Sequence, residues 1–279
     1  MCNCTACNKN MGITRHVVIY ICAASIFFVN IGAQDDAFLI ACAARAPSCQ
    51  SEWAAPVPAT FSTRFHLDNG AAFDVDVVTS WAPIHAARFY LLSRLRYFDG
   101  SPLYRVLNRS PTQRFVAQWG YRGVPAVDGA WITLAADNVT SEAVTPPGNI
   151  FGSVAFGTNE VPGPRPPNCT AAECSLGFSV ELFVNLADNG RLDAADFTPF
   201  GSINAAGMEY LTGSIYAGYG ECSDLCASAT PPGGTYCVSN GSGGWQGVNL
   251  TRFLAEGTTA YLRVTHPLLS YVTRTELLN

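Results

Sequence analysis

The sequence predicts a mainly β fold, an antiparallel barrel or sandwich, on the basis of three observations. Short segments rich in β-branched and aromatic residues are separated by turn-forming residues. They lie at about 65–67, 73–77, 103–107, 114–119, 152–157, 179–186 and 198–203. Only two segments, one beginning at Pro83 and one at about 205–216, have the spacing of an amphipathic helix. Strands and helices do not alternate regularly, so a doubly wound parallel sheet is not expected.

Residues 1–33 are predicted to be a secretory signal peptide or a signal anchor. Their apolar run, Val17–Ala33, follows the basic residues Lys9 and Arg15 and precedes two aspartates. Cleavage, retention as a membrane anchor over residues 17–33, and a mispredicted start or buried helix all remain open. We therefore expect a protein of the secretory pathway, either in the endoplasmic reticulum lumen or secreted.

The rest of the chain is predicted to be a linker or a disulfide-linked N-terminal extension at 34–59, followed by one domain at 60–279. That domain begins with a hairpin, because Asp68-Asn69-Gly70 is a tight-turn sequence and the residues after it alternate with period two. Pro83 then opens a helix, since proline suits the first helical turn. The residues expected on the buried face of this helix are Ile84, Ala87, Leu91 and Leu95.

Cysteines and loop-forming residues mark two inserts in the domain, at 160–175 and 221–247. Seven cysteines follow residue 33, in stretches rich in Pro, Gly and Ser, and in an exported protein they are expected to form disulfides. Cys42–Cys49 and Cys169–Cys174 are the expected local pairs, and free thiols are the alternative. One of the other three is left over or pairs elsewhere; these are Cys222, Cys226 and Cys237.

Glycosylation is also expected of an exported chain. Five Asn-x-Ser/Thr triplets follow the N-terminal segment and are candidate glycan sites. They begin at Asn108, Asn138, Asn168, Asn240 and Asn249.

Composition and motifs exclude several classes of function. Charged residues make up only 13% of the chain, the net charge is -5, and lysine occurs once, so a basic surface for nucleic acid is not expected. The sequence contains no G-x-S-x-G, P-loop or H-E-x-x-H motif. Its four histidines are dispersed, and the last three cysteines lack a nearby fourth ligand, so neither a metal nor another cofactor is expected.

A series of segments, in consistent order, nevertheless resembles one enzyme family. They are Trp81-Ala82-Pro83, Tyr97-Phe98-Asp99-Gly100, Tyr104-Arg105-Val106, Phe115–Gly120, Ser179–Asp193 and Pro199–Gly201. Together they resemble the cyclophilin family of peptidyl-prolyl cis/trans isomerases over roughly residues 61–220, and more weakly to about 275. The resemblance implies a closed eight-stranded antiparallel barrel capped by two helices, with a proline-binding groove on its outer face.

The resemblance also implies roles for seven residues. Arg105 takes the position of the family's catalytic arginine, and Gln118 that of a glutamine that hydrogen-bonds the substrate backbone. Gly157 lies where a small residue contacts the peptide. The residues at positions of the proline pocket are Phe115, Val116, Phe183 and Leu192.

The chain departs from the family pattern at several of these segments. Glu181 stands where a glutamine is usual, Phe197 falls near a position often held by histidine, and residues 108–113 form a longer link. Arg191 stands where the family has an aromatic or other variable residue. Because an aromatic side chain there helps the family bind cyclosporin, weak cyclosporin binding is expected.

Two functions follow from the resemblance. The first is a prolyl isomerase that assists folding of proline-containing polypeptides, where an arginine donates to the prolyl nitrogen as the bond twists against a barrier of ~18–20 kcal/mol. The second is a catalytically weak module that only binds proline-containing segments. The retained Arg105, Phe115, Gln118 and Phe183 favour the first, whereas Glu181 and the 108–113 link favour the second.

Overall fold

A computed structural model describes residues 17–22, 25–30, 35–133, 142–145, 147–158, 178–195, 197–228 and 236–278. The chain divides into two units, Met1–Ala33 and Gln34–Asn279. In the first unit, strands β1 (Val17–Cys22) and β2 (Ser25–Asn30) pair antiparallel. The predicted signal peptide or anchor stays a prediction.

The second unit is built on one eight-stranded sheet in which every neighbouring pair of strands is antiparallel. Its strands are β3 (Thr60–Leu67), β4 (Ala72–Val78), β5 (Arg105–Ser110), β6 (Gln113–Trp119), β7 (Ser153–Thr158), β8 (Phe178–Asn185), β9 (Pro199–Ile203) and β10 (Val272–Leu278). Their order across the sheet is β10-β3-β4-β9-β7-β8-β6-β5. The prediction of a mainly β, eight-stranded antiparallel fold is confirmed.

The sheet curls into a half-barrel, and the expectation of a closed barrel is wrong. Its edge strands β5 and β10 form no ladder with each other in the part of the chain that the structure describes. Among the described residues the two edges meet at one isolated bridge, between Pro102 and Tyr271, next to the starts of β5 and β10. At this bridge the Leu103 N–H donates to the Ser270 carbonyl at 2.9 Å, and the Val272 N–H to the Ser101 carbonyl at 2.8 Å. Because β5 and β10 are connected by this single bridge and not by a ladder of hydrogen bonds, the sheet does not close into a barrel.

Eight short helices accompany the sheet in the described ranges from residue 35 onward. They are α1 (Asp36–Ala43), α2 (Gln50–Trp53), α3 (Pro83–Arg94), α4 (Pro125–Thr133), α5 (Ala205–Gly213), α6 (Ser223–Ser228), α7 (Leu250–Gly257) and α8 (Arg263–Thr265). Helices α3 and α5 match the two helices that the sequence predicts. The other six have no counterpart in the sequence prediction.

The predicted buried face of α3 is wrong in part. Ile84 is 48% exposed, whereas His85, Phe89 and Leu92 are fully buried. The reason is the packing of Phe89, whose ring centroid lies 4.9 Å from that of Phe200. This contact turns the helix so that Ile84 faces solvent.

The main core lies on one face of the curled sheet and is rich in aromatic rings. Phe65 contacts Phe73 and Trp119, with ring centroids 5.2 and 5.6 Å apart. A second, smaller cluster lies apart from this core and consists of Leu107, Val116, Ala155 and Phe183. The smaller cluster marks the face of the sheet that carries the candidate site.

Disulfides join two pairs of cysteines in the described residues. Cys42–Cys49 is confirmed, and Cys226 pairs with Cys237 while Cys222 remains a buried free thiol. Cys169 and Cys174, the other predicted pair, lie outside the described residues, as do Asn138, Asn168 and the whole 160–175 insert.

Candidate functional site

The candidate site lies on the face of the sheet opposite the main core. Successive side chains of a strand point to opposite faces, so the neighbours of core residues in β5–β8 share this face. The register aligns Arg105 with Gln118, Gln118 with Phe183, and Phe183 with Ala155. One row of four side chains therefore crosses β5, β6, β8 and β7.

All seven residues predicted for the site line a single cleft of about 450 Å³. They are Arg105, Phe115, Val116, Gln118, Gly157, Phe183 and Leu192. Four strands and the 3₁₀ turn Gly190–Ala195 supply them. The sheet register thus brings together residues that the sequence places in separate segments.

One end of the cleft is an apolar pocket. Val116 and Phe183 are buried at its base, and Phe115 and Leu192 pack beside them. The Phe197 ring meets Phe183 edge-on, with centroids 5.6 Å apart. A pocket of this kind can hold a compact apolar group, since binding there removes apolar surface from water.

Arg105 supplies the positive charge of the cleft, with 14% of its side chain exposed. Its Nε and Nη2 atoms donate to the two carboxylate oxygens of Glu221, each at 2.5 Å, and Nη1 donates to Oε1 of Gln118 at 2.5 Å. Burial lowers the pKa of the guanidinium, but the Glu221 carboxylate offsets this, and the net pKa is raised above its ordinary value. Arg105 is therefore a permanently charged donor.

A buried carboxyl group, Glu181, lies beside this row of side chains. Only 6% of Glu181 is exposed, and it accepts hydrogen bonds from the Tyr104 hydroxyl, Gln118 Nε2 at 3.2 Å and the Tyr121 hydroxyl at 3.5 Å. Burial raises the pKa of Glu181, and the hydrogen bonds from Tyr104 and Tyr121 and the charge of Arg105 act in the opposite direction. The amide of Gln118, expected to bond substrate, connects Arg105 to Glu181 here.

Sequence reasoning missed the part of the 221–247 insert that reaches the cleft. We call residues 221–226 and 236–237, joined by the Cys226–Cys237 disulfide, the stapled segment. It supplies Glu221 to Arg105, places Cys222 and Leu225 in the cleft wall, and stacks Tyr236 on Phe115 with centroids 6.5 Å apart. The cysteine spacing predicts a loop closed by a disulfide, but it does not predict where in the fold that loop lies.

Helices outside the predicted set extend the cleft with further apolar residues. Ile132 of α4 and Leu250 and Leu254 of α7 line it together with Leu225 of α6. The sequence offers no signal for these contacts, because they depend on how the C-terminal helices pack against the sheet.

Two residues that depart from the family pattern also lie near the cleft. The Arg191 guanidinium lies 4.4 Å from the centroid of the Phe115 ring, in a cation–π contact. Asn108, a candidate glycan site, uses its side chain to donate to the Thr212 carbonyl at 2.7 Å and to accept from Arg114 at 3.1 Å. A glycan on Asn108 would take one of the two hydrogens of Nδ2, which leaves a single N–H to donate to the Thr212 carbonyl.

Neither a metal cluster nor a membrane-spanning helix is found in the described residues. No group of three or more His, Cys, Asp or Glu residues there is arranged to hold a metal ion. No helix among them is both long and apolar enough to cross a membrane.

Comparisons with known proteins give distant structural matches. No family model and no curated protein sequence matches the chain. A cyclophilin-type peptidyl-prolyl cis-trans isomerase of Cryptosporidium parvum is 10% identical over 79% of this chain and 98% of that one, with a TM-score of 0.43. The Mimivirus cyclophilin is 11% identical over 80% and 92%, with a TM-score of 0.41. A cyclophilin from Hirschia baltica is 13% identical over 62% and 74%, with a TM-score of 0.36.

Proposed function

We propose that the chain is a cyclophilin-type peptidyl-prolyl cis/trans isomerase acting on X–Pro bonds of polypeptides. The observation that carries the proposal is the meeting of Arg105 and four apolar pocket residues in one cleft. Their roles are those implied by the sequence resemblance.

In the proposed reaction the pocket holds the proline ring while the preceding carbonyl rotates. Rotation is opposed by amide resonance, a barrier of ~18–20 kcal/mol. As the bond twists, the prolyl nitrogen pyramidalises and its lone pair becomes available to a hydrogen-bond donor. A guanidinium that donates to this nitrogen stabilises the twisted state more than either planar state.

Arg105 has the donors that this step requires. A guanidinium carries five N–H donors, of which three are engaged by Glu221 and Gln118 among the described residues. Two N–H groups remain for a ligand in the cleft. The reaction needs no proton transfer and no covalent intermediate, so a residue that is charged at every relevant pH suits it.

The test is prolyl-peptide isomerisation by the purified, oxidised full-length chain. We expect the exchange between cis and trans peptide, followed by NMR line broadening, to exceed the uncatalysed rate in proportion to protein concentration. An exchange rate equal to the uncatalysed one, from protein with a folded spectrum, would overturn the proposal.

A second candidate function is a binding module with little turnover. Its support is the stapled segment, because Glu221 already binds donors of Arg105 and Tyr236 stacks on Phe115. Saturable binding of a proline peptide without acceleration of its isomerisation would favour this alternative over the enzyme.

The proposed location is the secretory pathway. Two disulfides, Cys42–Cys49 and Cys226–Cys237, support it because such bonds persist in oxidising compartments. Cell fractionation together with the mass of the alkylated protein, with and without reductant, tests this location. Cytosolic protein with only free thiols would contradict it.

A further inference from the structure

We infer that Glu221 is the positioning residue of this site and that its carboxylate fixes the direction of the Arg105 guanidinium. The inference rests on the proposed isomerase function. It adds a residue from the stapled segment, which follows the last of the motif segments quoted for the family resemblance.

The contact between the two side chains is a side-on, bidentate ion pair. Nε and Nη2 of Arg105 each lie 2.5 Å from one oxygen of Glu221. Two parallel bonds define the plane of the guanidinium as well as its position, which a single bond does not. The third bond, from Nη1 to Gln118, holds the other side of the group. The remaining N–H groups are therefore oriented before a ligand binds.

Glu221 is itself held firmly by its surroundings. It is 2% exposed, its N–H donates to the Tyr236 carbonyl at 3.0 Å, and the Cys222 N–H donates to its Oε1 at 2.9 Å. A Cβ atom on Gly247 would lie 1.6 Å from the Glu221 carbonyl oxygen, so only glycine permits this close approach. The packing of the backbone around Glu221 therefore fixes the position of its carboxylate.

A neutral amide in place of this carboxylate would disturb the orientation of Arg105. The Glu221→Gln side chain presents one acceptor and one donor, so either Nε or Nη2 of Arg105 would face another donor. The guanidinium would then rotate to find a new acceptor, because a buried unpaired donor is costly. Misplacing a catalytic group by about 1 Å can cost about 10²-fold in rate.

The experiment compares Glu221→Gln with a matched control, Asp74→Asn. Asp74 binds Arg64 in the same side-on form, at 2.7 and 2.8 Å, on strands β4 and β3 outside the cleft lining. We expect Glu221→Gln to lower kcat/KM for prolyl isomerisation by about 10- to 10²-fold and to leave peptide Kd within a few-fold. Hydrogen exchange at the Arg105 Nε–H, followed by NMR, should become faster. Asp74→Asn should change none of these three quantities.

A double variant separates positioning from a general structural role. On the Arg105→Ala background, Glu221→Gln should bring no further loss of rate, since the group it orients is absent. A further loss of the same factor would overturn the inference. Should Glu221→Gln not fold, Glu221→Asp moves the carboxylate back by one methylene, and a wild-type rate in that variant would overturn it.

The outcomes also separate this inference from the proposed function. Folded wild-type protein without isomerase activity would overturn both. An active wild type with an equally active Glu221→Gln variant would overturn only the role of Glu221.

Discussion

The side chain of Glu181 on β8 occupies the space beside Gly157 on the adjacent strand β7, where any other residue would place its Cβ atom. A Cβ atom on Gly157 would lie 2.9 Å from both Cδ and Oε2 of Glu181, closer than real Cβ atoms come to such neighbours. The resemblance implies that Gly157 is a small residue that contacts the peptide. The structure adds a second reason, because only glycine leaves room for the buried carboxyl group that Tyr104 and Gln118 bond.

We predict that Gly157→Ala destabilises the protein through Glu181. The methyl group would push the carboxyl group away from its buried partners, and each hydrogen-bonding group left unpaired costs about 1–3 kcal/mol. On a Glu181→Ala background the same change should cost much less, since the space is then empty. Urea unfolding of the four proteins measures this coupling, and equal costs in both backgrounds would contradict it.

Arg105→Ala should lower isomerisation by about 10²–10³-fold and leave peptide affinity within a few-fold, because the donor acts on the twisted bond. Arg105→Lys should not restore the rate, since one ammonium cannot bond Glu221 side-on and also donate to Gln118 and a ligand in a fixed plane. The measurement is kcat/KM and Kd for one peptide, with Arg64→Ala as control. Parallel losses of rate and affinity would argue against a role in the twisted state.

The disulfide of the stapled segment should be required for full activity. Cys226→Ser/Cys237→Ser removes the link between the part that carries Glu221 and the part that carries Tyr236, so Arg105 should lose its orientation and the rate should fall. The matched control, Cys42→Ser/Cys49→Ser, removes a disulfide that does not contact the cleft and should leave the rate unchanged.

Cys222 provides an independent readout of the same prediction. It is fully buried, and burial raises the pKa of its thiol, so it should resist alkylation in the oxidised protein. In Cys226→Ser/Cys237→Ser it should react with iodoacetamide, which mass analysis detects. Rapid alkylation of Cys222 in the wild type would show that the segment does not hold the cleft wall.

Asp128 should make the stability of the fold depend on pH. It is buried and accepts hydrogen bonds from the Tyr97 hydroxyl at 2.6 Å and from the N–H groups of Arg122 and Gly123, each at 2.8 Å. Burial nevertheless raises its pKa from 3.8 to about 6. The folded state therefore binds this proton more tightly than the unfolded state does. As pH rises from about 4 to about 6, the free energy of unfolding should fall, by about 3 kcal/mol for this group.

Urea unfolding at a series of pH values measures that dependence, and Asp128→Asn is its control. At low pH the Asp128→Asn variant is expected to be less stable than the wild type. Its free energy of unfolding should lack the fall between about pH 4 and about pH 6 that Asp128 causes in the wild type. An NMR titration of the Asp128 carboxyl carbon with a midpoint near 4 would refute the prediction.

Arg191→Trp should strengthen inhibition by cyclosporin. In the wild type Arg191 is exposed and its guanidinium covers the Phe115 ring, so weak inhibition is expected there. Titration of isomerase activity in both proteins measures the difference, with Arg64→Trp as a control for an added surface tryptophan. Tight inhibition of the wild type, or no gain in the variant, would show that the resemblance is misaligned around residue 191.

Local patterns predicted strands β3 to β9 and seven of the residues that line the cleft, because both depend on neighbouring residues or on the ordered segments of the resemblance. The hairpin at Asp68-Asn69-Gly70 is one case, with β3 and β4 on either side of it. The buried face of α3 was predicted wrongly, since contacts of Phe89 with distant rings determine it. Strand β10 and the pairing of Glu221 with Arg105 were not predicted, because each joins residues that are far apart in the sequence.

The pairing of β10 with β3 has a consequence for biosynthesis. Thr275 pairs with Phe65, so the first strand of the sheet has no partner along one edge until residues 272–278 have left the ribosome. Until then the edge of β3 exposes unpaired backbone groups that can recruit another chain. The sheet is therefore incomplete until this strand has emerged, and slow long-range pairing of this kind exposes a nascent chain to aggregation. A chain truncated before Val272 should accumulate in the insoluble fraction.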